Sequence, residues 1–363
     1  MNPLQYFSAD KIFTGNQWYE QATLVVENEL VKQIVATHSL PVKPAVVYPM
    51  IVPALIDLQI YGAGGKLLSM HPNKESLLLL YDYCKAGGAN WFQPTVATNS
   101  DEVLYACIDA VKAYQLSGGE GCIGLHIEGP WINNIKKGAH ITEFIHIPSV
   151  TEAKKLLEYG KGVITMITLA PEMCSTEVIE LIRSYGVVVS AGHSNATYEE
   201  ATAAFDAGIP TATHLYNAMS SLQHRAPGIV GAIFNHAQVR SSIVPDGYHV
   251  DFAAIKIAKK QMGERLFAIT DAVTSSVDGT YPHQLKGDKY ETNGILSGSA
   301  LTMLKCAYNL VNQVGIELGE AIRMCSLYPA QVMKLPGISG LLEPGNKADF
   351  IVLDNELKNR LPL

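Results

Sequence analysis

The stretch Gly124-Leu125-His126-Ile127-Glu128-Gly129-Pro130 decides the fold. It ends an apolar run that begins at Cys122, and it stops abruptly on an acid, a glycine and a proline. A strand reads this way when both its faces are buried and it ends at a functional edge. Burying an unpaired carboxylate is costly, and a cation would offset that cost. Glu128 is therefore the first candidate metal ligand.

Outward from this stretch the same pattern recurs. Strands are predicted over 50–57, 90–96, 121–127, 163–169, 187–191, 211–213, 240–244 and 266–270. Helices are predicted over 76–85, 101–116, 151–159, 176–185 and 198–206, with Gly87-Gly88 ending the first. About eight strand–helix repeats make the class α/β and the architecture a (β/α)8 TIM-like barrel. No GxGxxG turn follows an early strand, which argues against a doubly wound sheet. Short β-like runs over 6–13, 22–26 and 31–35 precede a proline-rich linker, and the tail over 340–342 and 349–353 reads as strand again. These predict a small discontinuous β-sandwich domain from 1–49 and 337–363, beside a barrel over 50–336.

With 48% hydrophobic and 17% charged residues in 363, the chain can bury a large core. A net charge of -7 without a basic run argues against nucleic acid or an anionic membrane as partner. The six cysteines lie far apart with no CxxC pair, as expected of reduced thiols in a cytoplasmic protein. The N-terminal residues lack the pattern of a signal peptide, and no apolar run is long enough to span a bilayer.

Polar residues gather at the predicted strand ends. Glu128, His193 and His214 offer one carboxylate and two imidazoles, a common open site for a divalent transition metal. Either histidine alone reads as well as a hydrogen-bonded core residue; three donors at strand ends together read as a metal site. A bound metal would lower the pKa of water. Asp271 ends the last predicted barrel strand, where it suits a general base, although a helix N-cap or a turn would also explain it. Where a two-metal hydrolase carries HxH, this chain has Asp57-Leu58-Gln59, so a single metal is expected, with Gln59 at the first-strand position.

The motifs DLQIYGAGG (57–65), GLHIEGPWI (124–132), KGAH (137–140), SAGHSNA (190–196), THLYNAM (213–219), HRAPG (224–228), DGYHV (246–250), TDA (270–272) and LSGSALTM (296–303) occur in this order nearly end to end. With them the chain resembles the amidohydrolase superfamily, and within it the N-acetylglucosamine-6-phosphate deacetylase family. The resemblance implies one catalytic divalent ion on Glu128, His193 and His214, with zinc first and iron, manganese or cobalt also suited. It implies Asp271 as the acid–base residue and His140 at the N-acetyl group. Ala139, Asn217, Ala218, Leu296, Ser297 and Gly298 would line the sugar. Arg225 and His249 would bind the 6-phosphate, reaching it from the other subunit of a homodimer. The alternative for Arg225 by itself is a surface residue beside a Pro-Gly turn, and Lys136-Lys137 read as a solvated loop.

The expected reaction is metal-dependent hydrolysis of the N-acetyl amide of a small sugar phosphate, N-acetyl-D-glucosamine 6-phosphate or its galactosamine epimer. A cyclic-amide hydrolase fits less well without the HxH pair, and a silent sugar-phosphate sensor fits poorly with a complete ligand and base set. Two departures from the family pattern stand out: Ala226 where an acid is common, and Ala54 where glycine is typical.

Overall fold

The structure, a computed structural model, describes residues 4–42, 44–276, 279, 281–334 and 336–363. Eight strands form one sheet in sequence order: Leu55–Ile60, Ala89–Ala97, Leu125–Glu128, Ile164–Leu169, Val188–Ala191, Thr211–Ala212, Arg240–Ile243 and Leu266–Ala268. Every neighbouring pair is parallel. The first and last strands meet where they end: Asp271 N donates to Gln59 O at 3.0 Å and Tyr61 N to Ala272 O at 2.9 Å. The predicted barrel is thus a closed one, with its seam beside the candidate site.

The helices between strands begin where the sequence supplies a side-chain acceptor for the free N–H groups. Ser100 caps Asp101–Leu116, and Asn73 caps Lys74–Ala86. Val150–Tyr159 and Tyr198–Asp206 carry full capping boxes, from Ser149 with Glu152 and from Thr197 with Glu200. Five helices that the periodicity did not single out, Gly228–Asn235, Phe252–Met262, Met303–Asn309, Leu318–Cys325 and Leu327–Met333, complete the outer layer. None of the described helices is long and apolar enough to cross a membrane.

One predicted strand is two. The run over 50–57 divides at Ala54: Val47–Pro53 belongs to a second sheet and Leu55–Ile60 to the barrel. Pro53 has no N–H to extend a ladder, and Ala54 N turns to Asp349 O at 3.1 Å. The second sheet has six strands in the order Arg360–Leu361, Phe350–Leu353, Val47–Pro53, Gln5–Phe13, Trp18–Glu27 and Leu30–Ala36. Both ends of the chain therefore build one sheet, which also takes in residues 50–53 from the stretch assigned to the barrel, around its own core of Ala9, Ile12, Leu24, Val26, Ile51 and Val352. A third sheet, Gln284–Lys286, Lys289–Thr292 and Ile295–Ser299, was not foreseen; it delivers Leu296 and Ser297 to the site. The six cysteines are all unpaired, four of them buried.

Asp349 joins the six-stranded sheet to the barrel. Its carboxylate accepts Asn90 Nδ2 at 2.7 Å and the Trp91 indole N–H. Asp349→Ala leaves both donors without their acceptor, at a cost of about 1–3 kcal/mol. A denaturant midpoint that stays at the wild-type value would show that this contact does not tie the two sheets together.

Candidate active site

Three of the candidate site residues sit on backbone turned sharply at the strand ends. His193, His214 and Asp271 have φ values of 48°, 38° and 52°. Left-handed backbone at a residue other than glycine costs on the order of 1–3 kcal/mol and persists only when its surroundings fix it. They do so here. Asn133 N donates to His193 O at 2.9 Å, and Ser299 N donates to Asp271 O at 2.9 Å. His214 N donates to Ser242 Oγ at 2.8 Å.

Glu128 is the centre of the cluster and is 2% exposed. Its Oε1 lies 3.1 Å from His214 Nε2, 3.3 Å from His193 Nε2 and 3.0 Å from Gln59 Nε2. Its Oε2 faces His140 Nε2 at 3.3 Å and accepts the Tyr61 hydroxyl at 2.5 Å. Four candidate metal donors therefore converge, and two triads can be drawn from them. Glu128, His140 and His193 lie within 4.8 Å of one another. Glu128, His193 and His214 are tighter, because the two Nε2 atoms are 3.0 Å apart and both face the same carboxylate oxygen. His140 Nδ1 is 2.7 Å from Thr98 Oγ1, which leaves its Nε2 facing Glu128 Oε2. Either triad offers one carboxylate and two imidazoles to an ion, and the pair His193 and His214 has its Nε2 atoms 3.0 Å apart.

The protonation chemistry of the cluster follows from the same contacts. Burial alone would raise the Glu128 carboxyl, but hydrogen bonds from His140, His193 and His214 hold it well below the usual range. Burial pushes the His193 imidazole down to about 4, and the neighbouring His140 adds to the effect. His193 Nδ1 meets Lys136 O at 3.0 Å, which leaves the Nε2 lone pair for a cation. Burial also opposes a charge on His214, yet contact with Glu128 carries it above its ordinary value. Two imidazole lone pairs this close need a proton or a metal between them and the carboxylate. The donor set fits a divalent ion.

Asp271 lies on the other side of Gln59. The Gln59 amide donates to Asp271 Oδ1 at 2.7 Å while also reaching Glu128, so one NH2 group spans the two carboxylates. The amide that is a poor metal ligand is here a spacer between two carboxylates. Burial pushes the Asp271 carboxyl up, only partly countered by His249 and His214. Behind it, Asp57 accepts Thr270 Oγ1 at 2.5 Å and Thr270 N at 3.2 Å, anchoring the turn that presents Asp271.

Glu128, His140, His193, His214 and Asp271 line a cleft with about 160 Å³ of water-accessible space, together with Tyr61, Ala139, Asn217, Ala218, Leu296 and Ser297. Gly298 is behind the wall: a Cβ there would meet Val273 Cγ1 at 2.6 Å. His249 corrects an expectation. It lies in the cleft of its own chain, with Nε2 3.6 Å from Asp271 Oδ2, so it does not come from another subunit. Its Nδ1 is held by Asp246 Oδ2 at 2.6 Å, because DGYHV folds into a turn in which Asp246 Oδ1 also accepts the N–H of Tyr248 and His249. Arg225 is exposed and lines a different depression, with Lys136 and Asn195. Sequence reasoning left Tyr61, Thr98 and Asp246 unassigned. Tyr61 was readable, since positions 57, 59 and 61 share one face of a strand; Thr98, outside any quoted motif, was not.

A model of the amidohydrolase family matches residues 50–362. This chain belongs to that family. Among similar amidohydrolases, the N-acetylglucosamine-6-phosphate deacetylase of Haemophilus influenzae is 34% identical over 308 residues, 82% of this chain and 80% of that protein. The N-acetylgalactosamine-6-phosphate deacetylase of Escherichia coli is 32% identical over 85% of this chain and 84% of its own length. The solved N-acetylglucosamine-6-phosphate deacetylase of Pasteurella multocida superposes with a TM-score of 0.91 at 31% identity, covering 98% of this chain and 97% of that one.

Asp57 provides a pH test. Burial raises its carboxyl from 3.8 to about 7 against the hydrogen bonds from Thr270. The folded chain binds this proton more tightly than the unfolded chain, so the stabilisation is complete below the ordinary carboxylate range and lost as pH rises through about 7. Relative to Asp57→Asn, the wild type is expected to lose on the order of 2 kcal/mol of unfolding free energy between pH 5 and pH 8. A stability difference that is flat with pH would remove this carboxyl from the buried titrating set.

Proposed function

We propose that this chain hydrolyses the N-acetyl amide of N-acetyl-D-glucosamine 6-phosphate, giving D-glucosamine 6-phosphate and acetate. The observation that carries this reading is the buried Glu128, His193 and His214 cluster, linked through the Gln59 amide to Asp271 in one cleft. A divalent ion on that triad, zinc first among the metals suited to it, supplies Lewis acidity that lowers the pKa of water and polarises a carbonyl.

The chain's own residues do the rest. Asp271 takes a proton from the attacking water and delivers it to the amide nitrogen as the C–N bond breaks. Gln59 keeps Asp271 at a fixed distance from Glu128. His140, with Nδ1 tied to Thr98, holds Nε2 beside Glu128, placed to donate to the carbonyl oxygen as charge develops there. Asn217 and His249 meet the sugar phosphate from the same chain. Binding at the phosphate, remote from the reacting carbon, positions the amide.

Arg225 completes the phosphate site from a second copy of the chain. Its exposure outside its own cleft is what a residue donated to a neighbour requires, and its planar fork suits a phosphate. The unpaired cysteines accord with a reducing, cytoplasmic setting. Deacetylation of the galactosamine epimer is the second reading, favoured by relatives that carry that name. Metal, base and acetyl contacts would be identical, so the relative turnover of the two epimers separates them.

Asp271→Asn is expected to retain metal and ligand while acetate release falls about 10²- to 10⁴-fold. Near-normal turnover would remove Asp271 as the base. Arg225→Ala is expected to raise KM about tenfold or more for the phosphorylated sugar and hardly at all for N-acetylglucosamine. Equal effects on the two substrates would show that Arg225 does not meet the phosphate.

A further inference from the structure

The cleft continues past Glu128 into a second, smaller chamber with about 50 Å³ of water-accessible space, lined by Leu67, Ser69, Ala97, Val273, Tyr281 and His283. Tyr61, Glu128, Ala139, His140 and Ser297 line both spaces and form the boundary between them. We propose that this inner chamber is an acyl subsite that admits N-acyl groups longer than acetyl, with His283 selecting those that carry a terminal hydroxyl. This rests on the deacetylase reading and extends it.

The argument begins with orientation. Asp271 and His249 face only the outer space, whereas His140 stands on the boundary. An amide with its carbonyl oxygen at His140 and its nitrogen toward Asp271 therefore has the sugar outside and the acyl carbon chain inside. A methyl group occupies one atomic position, but the chamber has room for about three to five water-sized groups.

The walls suit a short chain. Leu67, Val273, Tyr281 and Tyr290 form an apolar cluster separate from the barrel core, with Tyr61, Met70 and Ala97 packed against it. Most of the chamber's polar atoms are already engaged. The Tyr61 hydroxyl donates to Glu128 and the Tyr281 hydroxyl to Thr98 O at 2.6 Å. His283 is different. Its ring lies parallel to that of Tyr281, 6.1 Å away, and its Nδ1 meets Ser297 Oγ at 2.8 Å. Among the described residues Nε2 has no partner, and neither does the Ser69 hydroxyl. Because the Ser297 hydroxyl can donate or accept, a neutral His283 can turn either a lone pair or an N–H to a ligand hydroxyl.

The chemistry needs no new component. Water adds to the acyl carbon, the C–N bond breaks, and the products are the amine and the longer carboxylate. Three glucosamine 6-phosphate derivatives, N-acetyl, N-butanoyl and the nearly isosteric N-(3-hydroxypropanoyl), test it on the metal-loaded enzyme by amine release. Wild type is expected to process both longer substrates within about tenfold of the acetyl compound and to favour the hydroxylated one. Each buried methylene is expected to lower KM about threefold to fourfold. Ser69→Leu, or Ala97→Val as an independent filling, should lower the butanoyl-to-acetyl ratio of kcat/KM about tenfold. His283→Phe should abolish the preference for hydroxypropanoyl over butanoyl without changing the rank of acetyl.

Brisk acetyl turnover with butanoyl slower by a thousandfold would overturn the subsite and leave the deacetylase reading intact. A butanoyl-to-acetyl ratio unmoved by both filling variants would overturn it too. A metal-loaded enzyme that releases amine from none of the three would end both readings. A hydroxyl preference that survives His283→Phe would remove His283 from the selection.

Discussion

One buried carboxylate organises this molecule. Glu128 terminates a strand in the middle of the barrel, almost out of reach of water, and meets three imidazoles, an amide and a phenol at once. No apolar residue would need so many polar neighbours, and no carboxylate could lie there without them. The surrounding fold follows from supplying them. Parallel strands bring the donors to one end of a barrel, and capped helices fix the strands from outside.

Strain and support are divided between two sets of residues. Three candidate site residues, His193, His214 and Asp271, stand on left-handed backbone at a cost that packed neighbours sustain. Those neighbours are plain: a serine at 242, a carbonyl at 59, an asparagine at 133. Only the Ser242 contact runs through a side chain, so replacing Ser242 would loosen His214 without touching any reacting group. Asp246 and Thr98 act in the same manner through His249 and His140.

Much of this was legible in the sequence because apolar strands that end on polar residues leave a strong local signal. Glu128, His193, His214 and Asp271 were found from that signal and the structure brings them together. The run over 50–57 misled because periodicity cannot reveal a change of sheet within a continuous buried stretch; Pro53 was the clue. The sheet over 284–299 was missed because its strands are short and largely polar. His249 was assigned to the wrong subunit: its motif marks a binding residue, but only three-dimensional contact with Asp246 and Asp271 shows which cleft it enters.

The seam of the barrel has a consequence for how the molecule comes into being. Gln59 and Asp271 are separated by more than two hundred positions along the chain, yet each needs the other to stand where it does. Contacts so distant in sequence form late, because a long loop must be closed first. Glu128, His193 and His214 all precede position 215, whereas Asp271 follows the last barrel strand. On the proposed roles, the ligands of the cation are translated before the base, and the final strand completes the pair.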